Sequence, residues 1–211
     1  MQVIDGIFYI IVLIMSIVIH EVSHGYAAYL LGDNTARLSG RLTLNPLKHL
    51  DPFGSVILPV LLFISTHGNF LVGWARPVPY NPANLKNERK GTFIVAIAGI
   101  LANLIIAIIF GLLIRFALSM GITIDNPFYK ISSIIIMLNL VLFLFNLIPI
   151  PPLDGSKILF SFIPSKYRHI ENFLEKWGIF FLLFFIIFIW GKVAPIIYIV
   201  FHLITGVSLL G

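Results

Sequence analysis

The sequence predicts an all-α polytopic membrane protein of about four to six membrane helices, with a re-entrant segment and short membrane-associated β-strands. Three observations carry this expectation. Of 211 residues, 59% are hydrophobic and only 11% are charged, against about 25% charged in an average soluble domain. The mean hydropathy is +1.01. Apolar stretches near the length that crosses a hydrocarbon core of about 30 Å recur along the chain. So few polar side chains cannot cover a soluble surface, and the same composition excludes intrinsic disorder. The length suits one domain over 1–211, with a core at 1–160 and C-terminal membrane helices at 171–211.

The first apolar stretch is 7–31, broken only by His20, Glu21, Ser23 and His24 and stopped by Gly32. The N-terminus carries Asp5, no Lys or Arg and no small-residue cleavage site, so it reads as a retained span. Residues 53–65 are apolar but interrupted by Pro59. As a helix they reach about 20 Å, too short to cross, so they are expected to re-enter or lie in the interface. The next spans are 92–114, with Arg115 placed to snorkel, and 131–148, which ends at Pro149, Pro151 and Pro152. Residues 177–190 and 193–210 form two further apolar stretches, separated by Gly191, Lys192 and Pro195. The polar segments ARLSGRLTL (36–44) and ARPVPYNP read as extended. Short strands at 36–44 and 74–80 are expected, suited to pairing with an unwound peptide by edge addition.

There is no cysteine, which removes disulfides, zinc ribbons and thiol nucleophiles. The net charge of +5 is assigned to cytoplasmic loops of a membrane protein and not to nucleic-acid binding.

The chemistry concentrates in His20-Glu21-Val22-Ser23-His24. On a helix, residues i and i+4 share a face, so His20 and His24 can hold one zinc ion. Glu21 then lies beside the metal as general base for water. An ionisable group at the centre of a span costs about 2.5–3.5 kcal/mol. Three in five residues therefore call for an ion or a polar cavity; the bland alternative pairs them with Lys or Arg of another span.

A catalytic zinc takes three protein ligands, so one more is required. Asp5 is at the wrong end of its span. Asp33, Asp51, Asp125 and Asp154 are available, and His49, His67, His169 and His202 read as loop or interface histidines. Loops 32–51, 67–91 and 155–176 are rich in Lys and Arg, whereas 119–130 has only Lys130. The positive-inside rule places the first three in the cytoplasm, provided 53–65 does not cross. The histidine pair then lies within the membrane near the cytoplasmic face. The span at 131–148 returns to that face, and Asp154 is the acid that can meet it.

HEVSHGYAAYLLGD, GRLTLNPLKHLDPFG, GWARPVPYNP and NLIPIPPLDG together resemble the site-2 protease family of intramembrane zinc metalloproteases, in particular its short prokaryotic members without PDZ or CBS domains. The resemblance covers residues 20–155. It implies one zinc per chain held by His20, His24 and Asp154, with Glu21 as catalytic base. It implies a substrate-binding Asn in a G-x-x-x-N arrangement, matched by Gly99 and Asn103, although Ile100 departs from the Pro that often follows this Gly. Asn146 and the prolines after it match a segment that meets the substrate backbone. The expected partners are transmembrane protein substrates and the lipid bilayer, with regulatory or adaptor proteins supplying selection. The expected location is the cell membrane, multi-pass, with the active site facing the cytoplasmic side. The competing readings are a non-catalytic scaffold with a structural or vestigial metal site, and a metal transporter. The intact Glu21 argues against the first, and the lack of an internal repeat argues against the second.

Overall fold

The computed structural model describes residues 2–57, 61, 65 and 75–207. Among these the secondary structure is helical: α1 Gln2–Leu30, α2 Thr35–Leu38, α3 Glu88–Ser119, α4 Pro127–Asn146, α5 Asp154–Phe162, α6 Arg168–Phe188, α7 Trp190–Val193 and α8 Pro195–Thr205. Short 3₁₀ turns occur at Pro46–Lys48, Pro82–Asn84 and Ser165–Tyr167, and a π-helical turn at Pro52–Ile57.

Helices α1, α3 and α4 are long and apolar enough to cross a membrane. A bent pair, α6 followed by Trp190–Thr205 with a 55° break, makes up to four such units among the described residues. The sequence leaves open whether 193–210 spans, re-enters or lies in the interface, and the described part of it is too short to cross alone. Helix α8 has 11 residues and rises only about 16 Å, half the hydrocarbon core.

Polar caps set the helix ends. Asn87 accepts from the Lys90 N–H and starts α3 at Glu88. Asn126 accepts from the Phe128 N–H and starts α4 at Pro127. An amide oxygen satisfies an N–H that the first turn leaves unpaired, so α3 begins before its apolar stretch does.

The core forms where α3, α4 and α8 meet, through Ala107, Ile114, Ile136, Leu140, Ile197 and Phe201. Arg115 donates to the Leu203 carbonyl at 2.6 Å. Its guanidinium thereby ties the end of α8 to α3, where snorkelling to the interface was expected. Helix α6 buries only Gly178. An added Cβ there would stand 2.5 Å from the Pro151 carbonyl oxygen, so glycine permits α6 to lie against that turn.

The expected strands at 36–44 and 74–80 are not seen among the described residues. Residues 35–38 form α2, and Gly40 adopts φ +66°. The N–H groups of Leu38, Ser39 and Arg41 are spent on Asn34, Thr35 and Ala36. A single antiparallel bridge joins Leu50 and Ala75. In 76–80, Pro77 and Pro79 have no N–H, Arg76 N–H goes to the His49 carbonyl, and Val78 N–H goes to Glu21. A segment with its donors removed or used cannot offer a full strand edge. The expected re-entrant segment 53–65 falls in large part outside the described residues; its first turn is the helix at Pro52–Ile57.

One buried acid holds the polar end of the molecule together. Asp33 is fully buried. It accepts from Asn81 N–H at 2.7 Å, from the Asn84 amide at 2.8 Å and from Thr35. The loop after α1 is thus tied to the segment before α3. Because Asp33 and Asn84 touch, the chain between them leaves and returns to one end of the bundle.

Burial alone would raise the Asp33 pKa; the bonds from Asn84, Thr35 and Asn81 outweigh it and hold the carboxyl below its ordinary value. The stability it contributes is therefore full above the unfolded pKa, about 3.9, and is lost as pH falls through the lower folded value. Asp33→Ala is expected to cost about 2–4 kcal/mol at neutral pH. Thermal unfolding in detergent should show this gap, and the gap should narrow below about pH 4. A constant gap down to pH 2 would contradict the ionised latch.

Candidate metal centre

In α1, His20 and His24 sit one turn apart and point the same way; their rings meet edge-on with centroids 4.6 Å apart. Both are buried, and so is Asp154 at the first turn of α5. The three come together although His20 and Asp154 lie 134 positions apart in sequence. Asp154 Oδ2 is 2.9 Å from both His20 Nε2 and His24 Nε2, and the two Nε2 atoms are 3.0 Å apart. Glu21 lies in the same cluster, with ligand atoms of His20, Glu21 and His24 within 4.8 Å of one another.

The opposite ring nitrogens decide what this triangle can bind. His24 Nδ1 faces the Val95 carbonyl at 2.7 Å. A carbonyl only accepts, so Nδ1 carries the proton, and in the neutral ring Nε2 keeps its lone pair. His20 Nδ1 faces Asn103 Oδ1 at 2.7 Å, which gives the same tautomer. Two lone pairs and a carboxylate oxygen then face one another in a buried space. One proton could bridge only one pair of these atoms at a time; a divalent cation satisfies all three. The donor set, two imidazoles and a carboxylate, is one that zinc accepts in catalytic sites. The residues present fit a metal ion.

The surroundings keep these groups in place. Lys157, one helical turn after Asp154, donates to Asp154 Oδ1 at 2.9 Å, which favours the ionised carboxylate. It also lies over the Tyr80 ring, 5.9 Å from the centroid. Glu21 Oε2 accepts from Val78 N–H at 2.9 Å, so its carboxylate is held by a backbone donor flanked by prolines. Gly99 of α3 packs against the imidazoles. An added Cβ there would lie 2.5 Å from His24 Nε2 and 2.9 Å from His20 Cε1.

The chain belongs to peptidase family M50. The family model matches residues 8–122 and 116–189. The chain is 43% identical over 184 residues to "Putative zinc metalloprotease YwhC" of Bacillus subtilis, covering 85% of this chain and 79% of that protein. It is 30% identical to "Putative zinc metalloprotease Rip2" of Mycolicibacterium smegmatis over 175 residues, 82% of this chain and 64% of that protein. The Mycobacterium tuberculosis Rip2 is 30% identical over 156 residues, 73% of this chain and 57% of that protein. The chain thus spans less than two thirds of the Rip2 proteins. No solved structure matches it. Family membership agrees with the site-2 protease resemblance carried by the motifs, and with the three long apolar helices it identifies a membrane protein of the M50 metalloprotease family.

The structure brings together His20, Glu21, His24, Asp154 and Asn103. It leaves Asn146 apart from this group: half-buried at the end of α4, its amide donates to the Leu142 carbonyl of its own helix at 3.0 Å. Asp33 and Asp51 are occupied elsewhere. Asp33 is the latch described above, and Asp51 accepts from the Phe53 and Gly54 N–H groups. His49 is buried with Nε2 on the Thr43 carbonyl, and His67 lies outside the described residues. Sequence reasoning missed Ser16, Asn139, Val95, Lys157 and the Val78 N–H. Ser16 and Asn139 were detectable as polar residues inside spans, and Lys157 as the residue one turn after Asp154. The Val95 carbonyl and Val78 N–H are backbone groups and leave no mark in the sequence.

Gly99→Ala is expected to displace the imidazoles and to lower metal content at least about tenfold in metal-limited buffer. Elemental mass spectrometry on purified protein checks this. Wild-type metal content in that variant would show that α3 does not bound the site so closely.

Proposed function

We propose that the chain is an intramembrane zinc metalloprotease, hydrolysing peptide bonds in or near transmembrane segments of membrane proteins, as in regulated intramembrane proteolysis. The observation that carries this reading is the triangle of His20 Nε2, His24 Nε2 and Asp154 Oδ2 with edges of 2.9–3.0 Å, placed beside Glu21 at the end of an apolar helix. The named metalloprotease relatives support it.

His20, His24 and Asp154 would hold the ion. Bound zinc supplies Lewis acidity, which polarises a scissile carbonyl and makes a nearby water acidic. Glu21 takes the proton from the attacking water and delivers it to the leaving nitrogen. The Val78 N–H holds Oε2, which leaves Oε1 for that transfer. Lys157 keeps Asp154 ionised. Asn103, expected from the sequence to bind substrate, is buried with its amide engaged by His20 and Asn139, so its role in this reading is to orient His20; Asn146, beside the proline turn, is the residue assigned to the unwound substrate backbone. A purely structural metal site would need no base, and Glu21 is present and oriented.

This activity belongs to one membrane domain over 1–211, with transmembrane proteins as substrates and adaptor proteins as further partners. Cations cluster at the end of the bundle that carries the site, among them Arg37, Arg41, Arg76, Lys86 and Lys90. By the positive-inside rule this pattern supports a site facing the cytoplasmic side of the cell membrane.

Glu21→Gln is expected to keep about one zinc per chain while cleavage of a membrane-embedded reporter falls by about 10²–10⁴. Wild-type cleavage by this variant would remove Glu21 from the mechanism. Asp154→Ala is expected to lose both metal and cleavage, and full metal retention would place the third ligand elsewhere.

A further inference from the structure

Asn139 lies on α4 and is fully buried, as is Asn103 on α3. It touches none of the groups that would hold metal. Its amide orientation is nevertheless determined. Asn139 Nδ2 lies 2.8 Å from the Ile135 carbonyl, which only accepts. The same NH₂ donates to Ser16 Oγ at 3.0 Å. Asn139 Oδ1 is therefore the atom that faces Asn103, and it accepts from Asn103 Nδ2 at 2.9 Å. Asn103 Nδ2 also points to the Ser16 carbonyl at 3.4 Å. Asn103 Oδ1 is thus turned to His20 and accepts its Nδ1–H at 2.7 Å.

The chain of bonds has one polarity from end to end. It starts at a helix carbonyl that cannot donate and ends by placing the His20 proton on Nδ1. The lone pair of Nε2 then faces Asp154 and His24.

We infer that Asn139 is a positioning residue of the metal centre: it locks the Asn103 amide and, through it, the tautomer of His20. A half-turn of the Asn103 amide would present NH₂ to His20 Nδ1. The imidazole would then carry its proton on Nε2, where it blocks metal. Asn139 opposes that half-turn by supplying the short acceptor for Asn103 Nδ2; without it only the 3.4 Å contact to Ser16 remains. His24 needs no such device, because the Val95 carbonyl that orients it is backbone and cannot rotate. The two imidazoles are thus held by different means, and only that of His20 is open to a side-chain substitution in α4.

The inference deepens the metalloprotease reading and rests on it for the identity of the metal, while the relay itself is a property of the metal-free chain. The test is nitrogen NMR of ¹⁵N-histidine-labelled, metal-free protein in detergent, with the His20 signal assigned by its loss in His20→Gln. Wild type is expected to show His20 protonated at Nδ1. Asn139→Leu, similar in size but without polar atoms, is expected to show a mixture or the Nε2–H form. Its zinc affinity, measured against a competing chelator, should fall by about 10–100-fold. Asn139→Asp, buried and neutral, keeps one donor and one acceptor and should retain the wild-type tautomer with affinity close to wild type.

A His20 without a proton on Nδ1 in metal-free wild type overturns the relay without any variant having to fold. So does an Asn139→Leu protein that keeps both tautomer and affinity. Equal loss in the Leu and Asp variants means that Asn139 acts through packing, and overturns it too. Failure of the protease reading is distinguishable, because it appears as absent reporter cleavage with the tautomer result intact.

Discussion

The carboxylate of Asp154 meeting the lone pairs of His20 and His24 is the contact on which the rest of the structure depends. In an apolar interior, a buried polar atom without a partner costs roughly 1–3 kcal/mol. Here three buried polar atoms lie within 3.0 Å of one another and must satisfy each other or a shared ion. Their arrangement suits a cation between them with the ring protons fixed behind them. The fold meets both demands: the Val95 carbonyl and Asn103 hold the protons away from the triangle, and Lys157 holds the far oxygen of Asp154.

That requirement explains how the helices are arranged. Helix α1 carries the histidines, α3 supplies Asn103, the Val95 carbonyl and the space at Gly99, and the turn after α4 delivers Asp154. The Asp33 latch closes the polar end by joining the loop after α1 to the segment before α3. The same segment carries Val78, whose N–H holds Glu21. Helix α1 thus carries both the general base and the histidines, while different segments orient them: the one before α3 holds Glu21 and α3 itself holds the imidazoles. Helix α8 contributes elsewhere, closing the apolar core against α3 and α4 through Ile197 and Phe201.

Much of this was legible in the sequence for identifiable reasons. The i, i+4 histidines and the cost of charge in a span located the site. The distribution of Lys and Arg among the loops selected Asp154, which the structure brings to both histidines. The spans over 92–114 and 131–148 were found from hydropathy, but their ends were not. Asn87 and Asn126 extend α3 and α4 through capping, which apolar content does not register. The strand expectation for 74–80 fails because an extended backbone is not a strand without free donors: Pro77 and Pro79 have none and Glu21 takes that of Val78. The break before Pro195 is marked in the sequence by Gly191, Lys192 and Pro195, but apolar content alone does not say whether the stretch after it crosses. Asn139 stayed unnoticed because a lone Asn in a span reads equally as an interhelical bond; only the orientation of two amides reveals its direction.

The central claim is that His20, His24 and Asp154 share one zinc ion. X-ray absorption at the zinc edge of the purified protein tests it most directly. The account predicts a shell of four nitrogen or oxygen neighbours near 2.0–2.1 Å, with outer-shell scattering that requires two imidazole rings. A fit with one imidazole or none would contradict it, because a helix that places His20 and His24 on one face cannot then be what holds the metal.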